Sequence, residues 1–137
     1  MAVHVAKCCY PLPGEEVVGI MTAGKGLTVH GRHCMTLRKF VEAPELWMPV
    51  KWQKNEAKVQ IMRIKATLIH EPGALAALCT AIGQLDANIT NIQSAERDLN
   101  FFTFIIELEV RNSEQGQSIL AALGSNEYVE SVSRDEF

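Results

Sequence analysis

The chain has 137 residues, 47% of them hydrophobic and 21% charged, with a formal net charge of −3. That length fits one domain of ordinary size or two small ones, and the composition supplies a packed core and argues against disorder. No apolar run approaches the ~20 residues needed to cross a bilayer, and the N-terminus MAVHVAKCC lacks the basic and apolar segments of a signal peptide, so a cytoplasmic protein without a membrane partner, its thiols reduced, is expected.

The charge is uneven. Residues 1–57 carry seven Lys/Arg against five Glu and three of the four histidines, whereas residues 58–137 carry six Lys/Arg against eleven Asp/Glu. A mildly basic first half can face nucleic acid; the acidic second half is poorly suited to it. The polar stretch QKNEAK at residues 53–58 is the expected boundary, giving one unit of residues 1–57 and another of residues 58–137.

In the first unit, residues 16–22 and 27–30 flank Ala23-Gly24-Lys25-Gly26 and predict a β-hairpin with a glycine-containing turn. Leu37, Phe40 and Val41 suggest one helix. Residues 46–52 have β character around Trp47, Val50 and Trp52, and Pro49 argues for an edge strand. So small a unit gains from a metal or from docking on a partner.

In the second unit, residues 59–69 alternate. Met62, Ile64, Ala66 and Leu68 share one face and Arg63, Lys65 and Thr67 the other, the pattern of a half-buried strand. His70-Glu71-Pro72-Gly73 breaks it. Leu75, Leu78, Cys79, Ile82 and Leu85 then follow helical spacing, with Cys79 expected in the core. Residues 89–95 predict a short strand, residues 97–100 a turn, and residues 101–110 a strand with Phe102, Phe104, Ile106, Leu108 and Val110 on one face. Asn112 and Gln115 stand at capping-box spacing before a helix bearing Ile119, Leu120 and Leu123, closed by Gly124. Residues 128–133 supply a last strand. The order β-α-β-β-α-β is the ferredoxin-like arrangement, and the fold class is α+β: a small hairpin-and-helix domain followed by a ferredoxin-like one. Association through the open sheet edges is expected.

Four constellations could carry chemistry. Cys8, Cys9, His30 and Cys34, with His33 nearby, offer the thiolates and imidazole that zinc prefers. Adjacent cysteines reach one tetrahedral ion less readily than a Cys-x-x-Cys pair, so a structural zinc site and a metal-free cluster that packs the hairpin or contacts RNA both stand. His70, Glu71, Gly73, Ala74 and Leu75, together with Asn88, Ile89 and Thr90, could hold a zwitterion: a helix N-terminus favours a carboxylate and Asn88 both donates and accepts. An ordinary strand-to-helix turn is the competing reading. Lys25 at the hairpin tip, with Arg32 and His33, could touch a phosphate backbone; no Walker-type Gly-Lys-Ser/Thr accompanies Lys25. Trp47, Trp52 and Tyr10 could stack on bases, but packing or interface anchoring is the commoner use. No nucleophile, carboxylate pair or metal pattern forms a catalytic set, so no enzyme activity is expected of these residues.

The block CCYPLPGEEVVGIMTAGKGLTVHGRHC at residues 8–34 resembles the conserved-cysteine, zinc-finger-like domain of the long RelA/SpoT-type alarmone synthetase/hydrolases. It has the double Cys, Pro-x-Pro-Gly-Glu, the Val-Gly pair, the Gly-Lys-Gly turn, Val-His and a final Cys; His33 stands where that family frequently has Asp. Residues 59–137 look like the ACT domain that follows in the same family. The resemblance implies a regulatory fragment of a bifunctional (p)ppGpp synthetase/hydrolase, a GTP pyrophosphokinase, whose first unit contacts the ribosome and A-site tRNA. It further implies an ACT homodimer and a branched-chain amino acid (valine, isoleucine or leucine) held by His70, Gly73, Leu75, Asn88 and Ile89, biasing hydrolase against synthetase activity. A ribosome-docking and dimerisation module with no amino-acid ligand is the alternative, and a regulatory subunit of a biosynthetic enzyme the third reading.

Overall fold

A computed structural model describes residues 2–52 and 59–135; the expected boundary at residues 53–58 lies outside the described residues. Two four-stranded sheets organise the chain. The first contains β1 (Val3–Val5), β2 (Val17–Thr22), β3 (Gly26–Gly31) and β4 (Trp47–Pro49), in the order β1-β3-β2-β4. The predicted hairpin is β2–β3, antiparallel from Val17↔Gly31 to Thr22↔Gly26. Among the described residues Trp47–Pro49 pairs with β2 alone and so is an edge strand, where a proline's missing N–H costs the ladder nothing. β1, which the sequence reading did not find, runs parallel to β3. Its approach depends on Gly26, at φ +84°, where an added Cβ would run into the Ala2 carbonyl oxygen.

The helix expected around Leu37, Phe40 and Val41 is a 3-10 helix, Met35–Phe40; Leu37 is buried, but Val41 lies beyond the end and is exposed. The small core gathers Ala6, Cys9, Ile20, Cys34 and Leu37, with Phe40, Leu46 and Trp47 packed against it. Trp47 Nε1 donates to Phe40 O at 2.8 Å and Trp52 Nε1 to Glu15 O at 3.1 Å, so both indoles serve packing.

The second sheet has the order β6-β7-β5-β8, built from β5 (Gln60–Ile69), β6 (Asn88–Arg97), β7 (Phe101–Val110) and β8 (Val129–Arg134). Helices α1 (Ala74–Gln84) and α2 (Ser113–Gly124) complete the βαββαβ order. Met62, Ile64, Ala66 and Leu68 are fully buried against Leu78 and Ile82 of α1 and Ile119 and Leu123 of α2, as the alternation requires. Cys79 departs from expectation: it is half-buried, at the margin of the helix face whose centre Leu78 and Ile82 occupy. The turn after β6 is locked by Asp98, whose carboxylate accepts from the Asn100 and Phe101 N–H groups at 2.7 Å each. Asn112 caps α2 by accepting from Gln115 N; the Gln115 side chain reaches one residue past the cap, accepting from Arg111 N at 2.7 Å.

The two sheets are joined by a shared core as well as by the chain. Leu12 is 1% exposed and belongs to the core of the second unit, beside Met62 and Gly116. Pro13 O accepts from Ser113 N at the start of α2. The small unit thus obtains the docking surface its size called for.

Candidate functional site

The turn over residues 7–9 follows β1 and closes with Tyr10 in the left-handed region, φ +42°, its N–H bonded to Ala6 O. That geometry turns two adjacent cysteines onto one spot, overcoming the reach problem their spacing posed. β3 supplies His30 and the entry to the 3-10 helix supplies Cys34. Cys8 Sγ lies 3.5 Å from His30 Nδ1, 3.5 Å from Cys34 Sγ and 4.0 Å from Cys9 Sγ. All four ligand atoms fall within 4.8 Å of one another. Sulfurs ~2.3 Å from a tetrahedral zinc stand roughly 3.8 Å apart, close to the 3.5 and 4.0 Å that separate Cys8 Sγ from Cys34 Sγ and Cys9 Sγ, so the set is compact enough to close on such an ion. None of the cysteines is in a disulfide.

The electrostatics also suit a cation. Burial pushes the Cys9 thiol well above its usual range, and the neighbouring Cys8 and Cys34 push it further, against the opposing pull of the Gly31 N–H, which donates to Cys9 Sγ at 3.3 Å. Burial would likewise raise Cys34, but hydrogen bonds from Thr36, Cys8 and Cys9 outweigh it and its pKa falls. Burial lowers His30 and keeps its imidazole neutral, the ligating form. To ligate as thiolates in so buried a spot, the three cysteines would need a positive charge among them. His33 is exposed and outside this set.

The cationic residues do not converge. Lys25 is exposed at the hairpin tip, while Arg32 and His33 follow the far end of β3, roughly 20 Å away at ~3.3 Å per residue. Arg32 is paired with Glu16 at 2.6 Å.

The expected amino-acid site divides in two. His70 packs its ring on Phe102, 3.9 Å between centroids, and its Nδ1 lies 3.1 Å from Asp98 O. Glu71 is exposed; Gly73, at φ +86°, is the N-cap of α1 and brings no side chain to it. Ala74 is buried and Leu75 exposed beside it. This group sits where Ile69 pairs with Phe101. Asn88 instead pairs with Glu109, its Nδ2 donating to the Glu109 carboxylate at 2.9 Å, and Thr90 Oγ1 donates to Glu107 O. Ile89 is half-buried against the core. Eight residues of β7, roughly 27 Å at ~3.4 Å each, separate the two groups, so one chain does not bring them together.

Two residues of functional interest escaped the sequence reading. Arg63 and Arg134, on β5 and β8, reach the cysteine turn from the second unit. Arg63 stood on the non-core face of the strand expected at residues 59–69, and Arg134 one residue beyond the last strand expected, at residues 128–133.

The family description "RelA/SpoT RIS domain" matches residues 1–53, and an ACT-domain description matches residues 56–134. The chain is 36% identical over 107 residues to the bifunctional (p)ppGpp synthase/hydrolase SpoT of Escherichia coli, covering 78% of this chain and 15% of that protein. It is 30% identical over 125 residues to the GTP pyrophosphokinase rsh of Brucella abortus, covering 90% of this chain and 17% of the relative. The crystal structure of the ACT domain from the GTP pyrophosphokinase of Chlorobium tepidum aligns with 54% of this chain and 95% of its own, at 22% identity and a TM-score of 0.48. No helix among the described residues is long and apolar enough to cross a membrane.

Proposed function

The chain belongs to the RelA/SpoT family, of whose (p)ppGpp enzymes it is the regulatory RIS–ACT region, and on that premise we propose that its ACT domain senses a branched-chain amino acid across a homodimer and biases hydrolase against synthetase activity. The observation that carries the reading is the split of the candidate ligand residues between opposite ends of a sheet whose edge is open. β6 pairs with β7 alone among the described residues, and nearly all ten of its residues are exposed. An unpaired strand of that length favours association through its edge. An antiparallel pairing of β6 with its own copy sets the Asn88 end of one protomer against the Arg97 end of the other. Arg97 pairs with Phe102, on which His70 packs. One protomer's Asn88, Ile89 and Thr90 then face the partner's His70, at the Gly73 N-terminus of α1. Free N–H groups there receive the ligand carboxylate, and Leu75 and Ile89 receive an apolar side chain.

In the same reading residues 1–57 are the RIS domain and residues 58–137 the ACT domain. Cys8, Cys9, His30 and Cys34 hold a structural zinc, which ties the N-terminal turn to the β2–β3 hairpin. The exposed Lys25, Arg32 and His33 contact ribosomal RNA beside A-site tRNA, in a cytoplasmic enzyme that synthesises and hydrolyses (p)ppGpp.

Calorimetric titration with valine, isoleucine, leucine and a lysine control tests the sensor. Saturable heat with a branched-chain amino acid, weakened about tenfold or more in Asn88→Ala by the loss of one to two hydrogen bonds, supports it. No heat with any of them favours the ribosome-docking and dimerisation module instead.

A further inference from the structure

The turn that carries Cys8 and Cys9 is held from the ACT domain. Arg63 Nη1 donates to Lys7 O at 2.8 Å and Nη2 to Cys8 O at 3.0 Å, a fork across two successive carbonyls. Arg63 Nε donates to Asp135 Oδ2 at 3.2 Å, and Glu107 stands 4.0 Å from Nη1. The guanidinium lies over the Tyr10 ring, 5.3 Å from its centroid, and the side chain is only 11% exposed. A second arginine continues the grip: Arg134 Nη2 donates to Tyr10 O at 2.8 Å while Nη1 pairs with Glu15.

Two carbonyls fixed by one planar fork fix the peptide planes on both sides of Cys8. Rotating either plane swings Cys8 Sγ away from His30 Nδ1 and Cys34 Sγ. Neighbouring cysteines in one tight turn have little freedom to compensate, so the orientation of the first thiol depends on the fork. Lysine, a point charge with one nitrogen, cannot reproduce it.

We propose that Arg63 is a positioning residue of the RIS-domain metal centre, supplied by the ACT domain, so that metal affinity at the cysteine cluster depends on the ACT domain being docked. The proposal rests on the metal reading of Cys8, Cys9, His30 and Cys34. Groups that orient a ligand typically change metal affinity 10- to 100-fold when removed. Linkage makes the effect mutual: metal bound at the cluster stabilises the docked domain pair by the same factor.

The test uses zinc competition against a chromophoric chelator and cobalt(II) as a spectroscopic probe, on the wild-type chain, Arg63→Ala, Arg63→Lys and the exposed control Arg111→Ala. The expected result is zinc affinity lowered about 10- to 100-fold in Arg63→Ala, with altered cobalt charge-transfer and d–d bands, partial recovery in Arg63→Lys and none of these changes in Arg111→Ala. Wild-type affinity and an unchanged cobalt spectrum in Arg63→Ala overturn the proposal. Should that variant fail to fold by circular dichroism, Asp135→Ala, which removes the acceptor that anchors the fork at Nε, carries the same expectation and the same overturning result. If the wild-type chain holds neither ion, the metal reading fails by itself. The positioning role is then decided on metal-free protein: Cys8 alkylation severalfold faster in Arg63→Ala upholds it, and equal rates overturn it.

Discussion

Leu12 fills the space that Gly116 leaves: a Cβ on Gly116 would lie 3.0 Å from Leu12 Cδ1 and 2.9 Å from Met62 Sδ. A RIS-domain side chain therefore completes the ACT core at the N-terminal turn of α2. Leu12→Ala should destabilise the chain by about 3 kcal/mol, from lost transfer energy plus the cavity left behind. Because the residue bridges two domains, urea unfolding followed by tryptophan fluorescence, which reports Trp47 and Trp52, and by circular dichroism, which weights the ACT helices, should shift together. A shift confined to the tryptophan signal would show that the two cores are energetically separate.

Asp98 ties the tip of the β6–β7 hairpin. Hydrogen bonds from the Asn100 and then the Phe101 N–H, with a smaller contribution from His70, hold its pKa below the ordinary carboxylate value. The sign follows directly: a carboxylate with a depressed folded pKa stabilises the fold above its unfolded pKa, about 3.9, and that stabilisation is lost as pH falls through the lower folded value. Amide exchange at Asn100 and Phe101 should be slow at neutral pH and lose its protection in Asp98→Ala. Equal protection in the variant would mean that the turn backbone alone holds the hairpin.

Metal content separates the cysteines. One zinc per chain is expected by elemental analysis after purification without chelator. Cys34→Ser should abolish it, because a hydroxyl is a poor substitute for a thiolate on zinc. Cys79→Ser should retain it, since Cys79 lies on α1, outside the cluster. Equal zinc in wild type and Cys34→Ser would remove Cys34 from the ligand set.

How much of this was legible in the sequence follows the range of the interactions. The 3.6-residue spacing of Leu78 and Ile82 and the alternation from Met62 to Leu68 encode burial locally, and the elements they predict are found. β1 was missed because three residues, two of them exposed, carry no alternation; it exists through pairing with β3 and the clearance at Gly26. The four metal-ligand candidates were legible by type, but the reach of adjacent cysteines depends on the left-handed Tyr10, which no local preference announces. Leu12 and Arg63 reach into another domain, and sequence adjacency says nothing of that. The amino-acid loop and Asn88 looked like one site because each flanks α1. The helix instead carries the chain from one end of the sheet to the other, so they stand at opposite ends.

With its candidate ligand residues at opposite ends of the sheet, a shared pocket depends on the free β6 edge. Ile92 lies near the midpoint of β6, pairs with Ile106 and is 37% exposed. In an antiparallel β6–β6 dimer the two-fold axis passes close to this position, so each Ile92 meets its own copy. Ile92→Asp sets two like charges against each other where two apolar side chains met, and like charges directly opposite across a strand pair destabilise it. The variant should sediment as a monomer where the wild type sediments as a dimer. It should also lose its amino-acid heat, although His70, Gly73 and Asn88 are untouched, because in the proposed dimer each pocket draws on two chains. A variant that stays dimeric moves the interface away from β6. A monomeric variant that binds valine with wild-type affinity means that one chain holds the whole pocket, and the shared-site reading falls.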